Sequence, residues 1–132
     1  MIDNSKLFEK YKLKNNKEVP GRLVIAPMCI FGADDSGQIT DEERSYLPHR
    51  AKDVGLYILG ASVVREVGIG MYKQTRAVDD KDLPSLAERD KIVKDQGALA
   101  ISQIYHIVVY QEVKNFGGKH LYLLRLMYLM NI

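Results

Sequence analysis

Residues 23–29 read L-V-I-A-P-M-C, and this run decides the fold. It is apolar and partly β-branched, and it stops at Pro27, with a methionine and a cysteine following. An apolar run bounded by a breaker suits a strand buried on both faces, as in a parallel sheet. A thiol just past such a strand lies at its C-terminal edge, where α/β barrels and open α/β sheets keep their chemistry.

Upstream, residues 11–13 and 17–19 flank Asn15-Asn16, a turn-prone pair that tolerates positive φ, so a small hairpin is expected to lead into the strand. Downstream, residues 32–38 (G-A-D-D-S-G-Q) read as a loop. Thr40-Asp41-Glu42-Glu43 has the form of a capping box in which Glu43 reaches back to the Thr40 amide, predicting a helix over 41–53. Pro48 lies inside that helix, where it removes a backbone hydrogen bond at a cost of ~3 kcal/mol, and Gly55 is expected to end the element. Residues 56–64 (L-Y-I-L-G-A-S-V-V) form a second buried strand. A glycine-containing loop runs through Asp82; Pro84 opens a helix over 84–96 that Gly97 closes; residues 98–105 (A-L-A-I-S-Q-I-Y) form a third strand. Strand, helix, strand, helix, strand is the order of parallel βαβ units.

The chain has 132 residues, one ordinary domain's worth, and 46% of them are hydrophobic, enough for a core. Its 19 basic and 17 acidic side chains leave a net charge of +2, with no basic stripe to suggest nucleic acid. One cysteine rules out an internal disulfide framework and fits a reducing compartment. M-I-D-N-S-K lacks the apolar centre of a signal peptide, and the apolar stretch 121–130 is interrupted by Arg125 and well short of the ~20 residues of a membrane helix. A soluble, cytoplasmic protein is expected, with no membrane and no nucleic-acid partner. His49 and His120 are isolated, and no spacing suggests a metal site.

The strand ends carry distinctive residues: Pro27, Met28 and Cys29 on the first, Gly60, Ala61 and Ser62 on the second, Gln103 and His106 on the third. Small residues let a flat ligand approach the backbone, and a thiol and an amide can hydrogen-bond its edge.

The series L-F-E, L-K-N, R-L-V-I-A-P-M-C, then D-E-E, R-A-K-D-V-G-L, G-A-S-V-V and Q-I-Y-H, in unbroken order from Leu7 to His106, resembles the N-terminal part of the Old Yellow Enzyme family. The resemblance implies a portion of a (β/α)8 TIM barrel that carries FMN, takes hydride from NAD(P)H and passes it to an electron-poor alkene or similar small-molecule acceptor. It places Ala26, Pro27 and Met28 along the FMN ring and Cys29 at the flavin's reactive edge, where the thiol tunes redox behaviour. Ala61 would contact the pyrimidine side, Gln103 would hydrogen-bond the pyrimidine carbonyl and ring nitrogen, and His106 would be structural.

The chain also departs from that pattern. A (β/α)8 barrel usually takes ~250 residues and eight strands, whereas three are expected here. The family's substrate-binding His/Asn or His/His pair, its proton-donating tyrosine and its phosphate anchors come from later strands. Arg89 and Asp90 occupy helix positions that are apolar in the family, Pro48 sits mid-helix, and Phe31 stands where tyrosine is common; together these suggest relaxed constraint. Tyr72, Lys73 and Arg76 do not match the family's substrate-side loop and are expected to be solvated. After His106 the family continues with a glycine-containing turn, but this chain does not. Regrouping the bases across codons permits G-L-S-R-S-E-K-F-W over residues 108–117, forces Val across Met127-Tyr128 and forces Glu across Met130-Asn131. Residues 1–106 are therefore expected to be a partial FMN-binding barrel domain. Residues 107–132 are expected to be a tail from a frame shifted near codon 107. Three strands would leave two unpaired sheet edges, which favours self-association, complementation by a C-terminal fragment, or a non-catalytic fragment that holds no cofactor tightly.

Overall fold

The computed structural model describes residues 3–107 and, as backbone, residues 125–130. The hairpin is present: β1 (Tyr11–Lys12) pairs antiparallel with β2 (Glu18–Val19), and Asn16 takes the left-handed conformation, φ 66°, that the turn requires. Three parallel strands follow in the expected order. β3 (Val24–Ile25) pairs with β4 (Leu56–Val63), and β4 pairs with β5 (Leu99–Ile107). The helices α1 (Asp41–Ala51) and α2 (Leu83–Asp95) connect them.

The core lies between the helices and one face of the sheet. Leu47 and Ala51 of α1 and Val93 of α2 meet Tyr57 and Leu59 of β4 and Ala100 of β5, with Ile25 packed against them. A fully buried aliphatic side chain contributes about 1.5–3 kcal/mol, so this cluster anchors the sandwich of helix and sheet.

Three expectations change at the elements. First, residues 23–29 are not buried on both faces. Burial alternates along them, with Val24, Ala26 and Met28 exposed and Leu23, Ile25, Pro27 and Cys29 half-buried. Both helices pack on one face of the sheet, where Ile25 joins the core, so only that face of β3 has something to pack against. Second, the Thr40 hydroxyl does accept from the Glu43 amide at 3.4 Å, but the Glu43 carboxylate does not complete a capping box. It is buried against Arg89, where a guanidinium in a low-dielectric interior attracts it more strongly than a backbone amide at an open helix end. Third, Gly55 does not terminate α1. Asp53 takes the left-handed conformation there, φ 61°. Gly55 is needed because a Cβ on it would stand 2.0 Å from the Gly21 carbonyl oxygen. This close approach lets the Gly55 and Leu56 amides donate to the Leu23 carbonyl at 3.0 and 3.2 Å and closes the N-terminal end of the strands. At the end of α2, Gly97 has φ 88°, as expected of a C-terminal glycine.

The sheet also gains a strand the sequence did not suggest. β6 (Arg125–Met130) pairs antiparallel with β5, from Ser102 opposite Met130 to Ile107 opposite Arg125. The β5 edge is therefore covered, and the edge strands of this sheet among the described residues are β3 and β6.

Candidate functional site at the C-terminal edge of the sheet

β4 and β5 run in register from Leu56 opposite Leu99 to Leu59 opposite Ser102, then resume at Ser62 opposite Ile104. Between these points β4 spends one more residue than β5, so Gly60 and Ala61 together oppose Gln103. This is a β-bulge, a device that re-aims side chains and leaves local backbone groups out of the ladder. The sequence supplies the residues it needs. A Cβ on Gly60 would lie 2.4 Å from the Met28 carbonyl oxygen, so only glycine lets the end of β3 close onto the bulge. Three sequence-predicted positions, Met28, Ala61 and Gln103, are thereby drawn to one end of adjacent strands.

Met28, Cys29, Gly60 and Ala61 line a cavity of about 30 Å³ together with Leu47 of α1 and Arg89 of α2. That volume holds a water or two and no cofactor. A flat ligand would have to lie over the strand ends. Met28 is 61% exposed, whereas Cys29 is half-buried with a free thiol. Ala26, Pro27 and Gln103 do not line this cavity. Ala26 is exposed on the open side of β3 and Pro27 is half-buried.

Gln103 carries the most telling chemistry. Its side chain is 3% exposed, and its Nε2 has no hydrogen-bond partner. A buried amide nitrogen without an acceptor costs about 1–3 kcal/mol, a penalty that an acceptor on a ligand would remove. His106, two positions beyond Ile104 on β5, lies against Gly68; a Cβ on Gly68 would meet its ring carbon at 2.8 Å.

The residues read as departures are built into the structure. Arg89 donates from Nε and Nη2 to Glu43 Oε2, at 3.1 and 2.5 Å, and from Nη1 to the Ser85 hydroxyl at 2.6 Å. Ser85 Oγ also accepts from the Ile39 amide at 2.8 Å. Arg89 therefore ties α1, α2 and the end of the β3–α1 loop together. Asp90 pairs with Lys94 one turn along α2, at 2.6 Å. Tyr72 and Lys73 are exposed as expected, but Arg76 is not simply solvated: its guanidinium pairs with Glu66 at 2.9 Å and donates to the Asp35 carbonyl at 3.5 Å. Asp82 is fully buried and accepts from the Val78 and Asp79 amides and from Gln38 Nε2, fastening the β3–α1 loop to the start of α2. Sequence reasoning missed Gln74, which is buried and bonded to the bulge. It sits in a stretch with no periodicity, so nothing marked it.

Among the described residues no cluster of three His, Cys, Asp or Glu could hold a metal ion, and no helix is long and apolar enough to cross a membrane.

The profile of the NADH:flavin oxidoreductase / NADH oxidase family matches residues 6–117. The chain is 30% identical over 100 residues to the probable NADH-dependent flavin oxidoreductase YqiG of Bacillus subtilis, covering 76% of this chain and 27% of that protein. It is 32% identical over 104 residues to an NADPH dehydrogenase of Listeria welshimeri, covering 77% of this chain and 30% of that protein. The chain thus spans under a third of the length of these relatives. Among solved structures it is similar to a 2-naphthoyl-CoA reductase complex (TM-score 0.72, 28% identity, 77% of this chain and 16% of that one). The Old Yellow Enzyme homologue of Zymomonas mobilis has the same fold over 77% of this chain and 28% of its own, with TM-score 0.69 and 22% identity. Three parallel strands, a bulge at their C-terminal ends and this matched span together make the chain a partial barrel of the NADH:flavin oxidoreductase / NADH oxidase family, whose cofactor is FMN and whose reductant is NAD(P)H.

Proposed function

We propose that this chain provides the strand ends against which FMN rests in an NAD(P)H-dependent oxidoreductase of Old Yellow Enzyme type. The orphaned, buried Nε2 of Gln103 carries the reading. The pyrimidine edge of a flavin offers carbonyl oxygens to such a donor, and the bulge sets Gly60 and Ala61, small residues that let a flat ring approach the backbone, opposite Gln103. Gln103 and Ala61 would hold the pyrimidine end, Ala26, Pro27 and Met28 would flank the ring, and Cys29 would stand near its reactive edge. When bound, FMN takes hydride from NAD(P)H and passes it to a small electron-poor acceptor such as an activated alkene; the protein orients it. A soluble, cytoplasmic setting belongs to the same proposal and rests on the single cysteine.

A second reading, a barrel fragment with no tightly held cofactor, is favoured by the exposure of Val24 (51%) and Met28 on the open side of β3. On that reading residues 107–132 come from a shifted reading frame. The DNA around codon 107 tests the frame: barrel sequence downstream in another frame supports it, and its absence removes it.

Titration of the purified chain with FMN, followed by flavin fluorescence, decides between the two. Stoichiometric quenching that weakens about fivefold or more in Gln103→Leu, the effect of losing one hydrogen bond or more, supports the flavin site. No binding by the unaltered chain supports the fragment. Binding equal in both forms would remove Gln103 from the site.

A further inference from the structure

Gln74 belongs to the loop between β4 and α2, yet its side chain is 7% exposed and bonded at both ends of its amide. Nε2 donates to the Ala61 carbonyl at 3.3 Å, and Oε1 accepts from the Gly70 amide at 3.1 Å. The Ala61 carbonyl is at the bulge, where the β4–β5 ladder is interrupted and backbone groups lose their ladder partners. The neighbouring positions are held by other means. Gly60 sits against the Met28 carbonyl, and beyond the bulge the Val63 amide donates to the Thr75 carbonyl at 2.9 Å while the Ala77 amide donates to the Val63 carbonyl at 2.8 Å. The peptide between Ala61 and Ser62 is thus oriented by a side chain, and that side chain also fixes the loop carrying Tyr72 and Lys73.

We propose that Gln74 is a positioning residue for the flavin. By holding the Ala61 carbonyl it sets the orientation of the bulge against which the ring would rest. This rests on the FMN reading above. A single head group must donate to one backbone atom and accept from another, which an amide or a protonated carboxyl can do and an ionised carboxylate or an alkyl chain cannot.

The experiment uses the full chain with Gln74→Leu and Gln74→Glu and two readouts: amide hydrogen exchange over residues 60–64 and 70–76, and FMN affinity with the flavin absorption spectrum. Gln74→Leu is expected to speed exchange in both segments, leave α2 unchanged, weaken FMN about fivefold and shift the flavin bands. Gln74→Glu is expected to match the unaltered chain at low pH and to lose FMN affinity as its carboxyl ionises, while the unaltered chain stays flat over the same range. A role in packing alone would not produce that pH dependence. Unchanged exchange at residues 60–64 overturns the proposal whether or not FMN binds. Faster exchange with unchanged FMN affinity overturns the positioning role. If the unaltered chain binds no FMN, the flavin reading fails, and faster exchange at residues 60–64 still supports the hold on Ala61. Should Gln74→Leu fail to fold, the pH dependence of Gln74→Glu carries the test.

Discussion

At Glu43 one carboxylate had two uses open to it, and burial decided between them. The capping-box pattern was legible because it is local, three residues apart; the ion pair was not, because Arg89 lies 46 positions away. Removing one partner of a buried pair strands a charge and costs about 3–5 kcal/mol, whereas replacing both with apolar groups is often neutral or stabilising. Arg89→Leu alone and Glu43→Leu alone are therefore each expected to lower the unfolding free energy by about 3–5 kcal/mol in urea, and the double substitution to recover most of the loss. Additive losses would show that the pair is not coupled. Tyr57 offers a test by pH. Burial pushes its hydroxyl above the ordinary tyrosine range, with Tyr46 adding to the shift and Arg50 opposing it. A raised folded value favours the protonated form in the native state, so this stability is present below about pH 10 and is lost as pH rises beyond it. Tyr57→Phe should flatten the fall in melting temperature above about pH 10. An equally steep fall in the variant would show that Tyr57 is not its source.

The elements were legible wherever the signal was local. Thr40 began α1, Gly97 closed α2, and Asn16 turned the hairpin, each through a conformation or hydrogen bond that the residue type itself dictates. Gly55 was misread because its role depends on Gly21, across the molecule, and the bulge was unreadable because a register shift exists only between two strands. The site followed the same division: Ala61 and Gln103 stood out as strand-end residues, but Gln74 acts through backbone atoms that no pattern marks. Pro48 was read correctly as internal to α1, and the helix continues through it from Asp41 to Ala51. Its ring leaves the Arg44 carbonyl without the amide that would bond it one turn on. Pro48→Ala should restore that bond and raise the unfolding free energy, by up to about 3 kcal/mol, with α1 otherwise unchanged. A melting temperature at or below that of the unaltered chain would mean that the proline is compensated by packing.

For the whole molecule, the order of strands and helices follows from hydrophobic runs and breakers, and three parallel strands resulted as expected. Edge status could not be read in the same way, because it depends on what lies beside a strand rather than on its own residues. β5 was expected to be bare and is covered by β6, whereas the unpaired edge expected of the first strand is present at β3. An uncovered edge with an exposed valine is a template for another chain, and proteins ordinarily blunt such edges with charge. The chain is therefore expected to self-associate through β3. Sedimentation velocity should show a weight-average mass that rises with concentration, and Val24→Lys should hold it near the monomer value. A lysine there faces solvent in the monomer and would be trapped beside a paired strand in the associated form. Association that is equally strong in Val24→Lys would move the contact away from β3, and a monomer at every concentration would show that this edge is not adhesive.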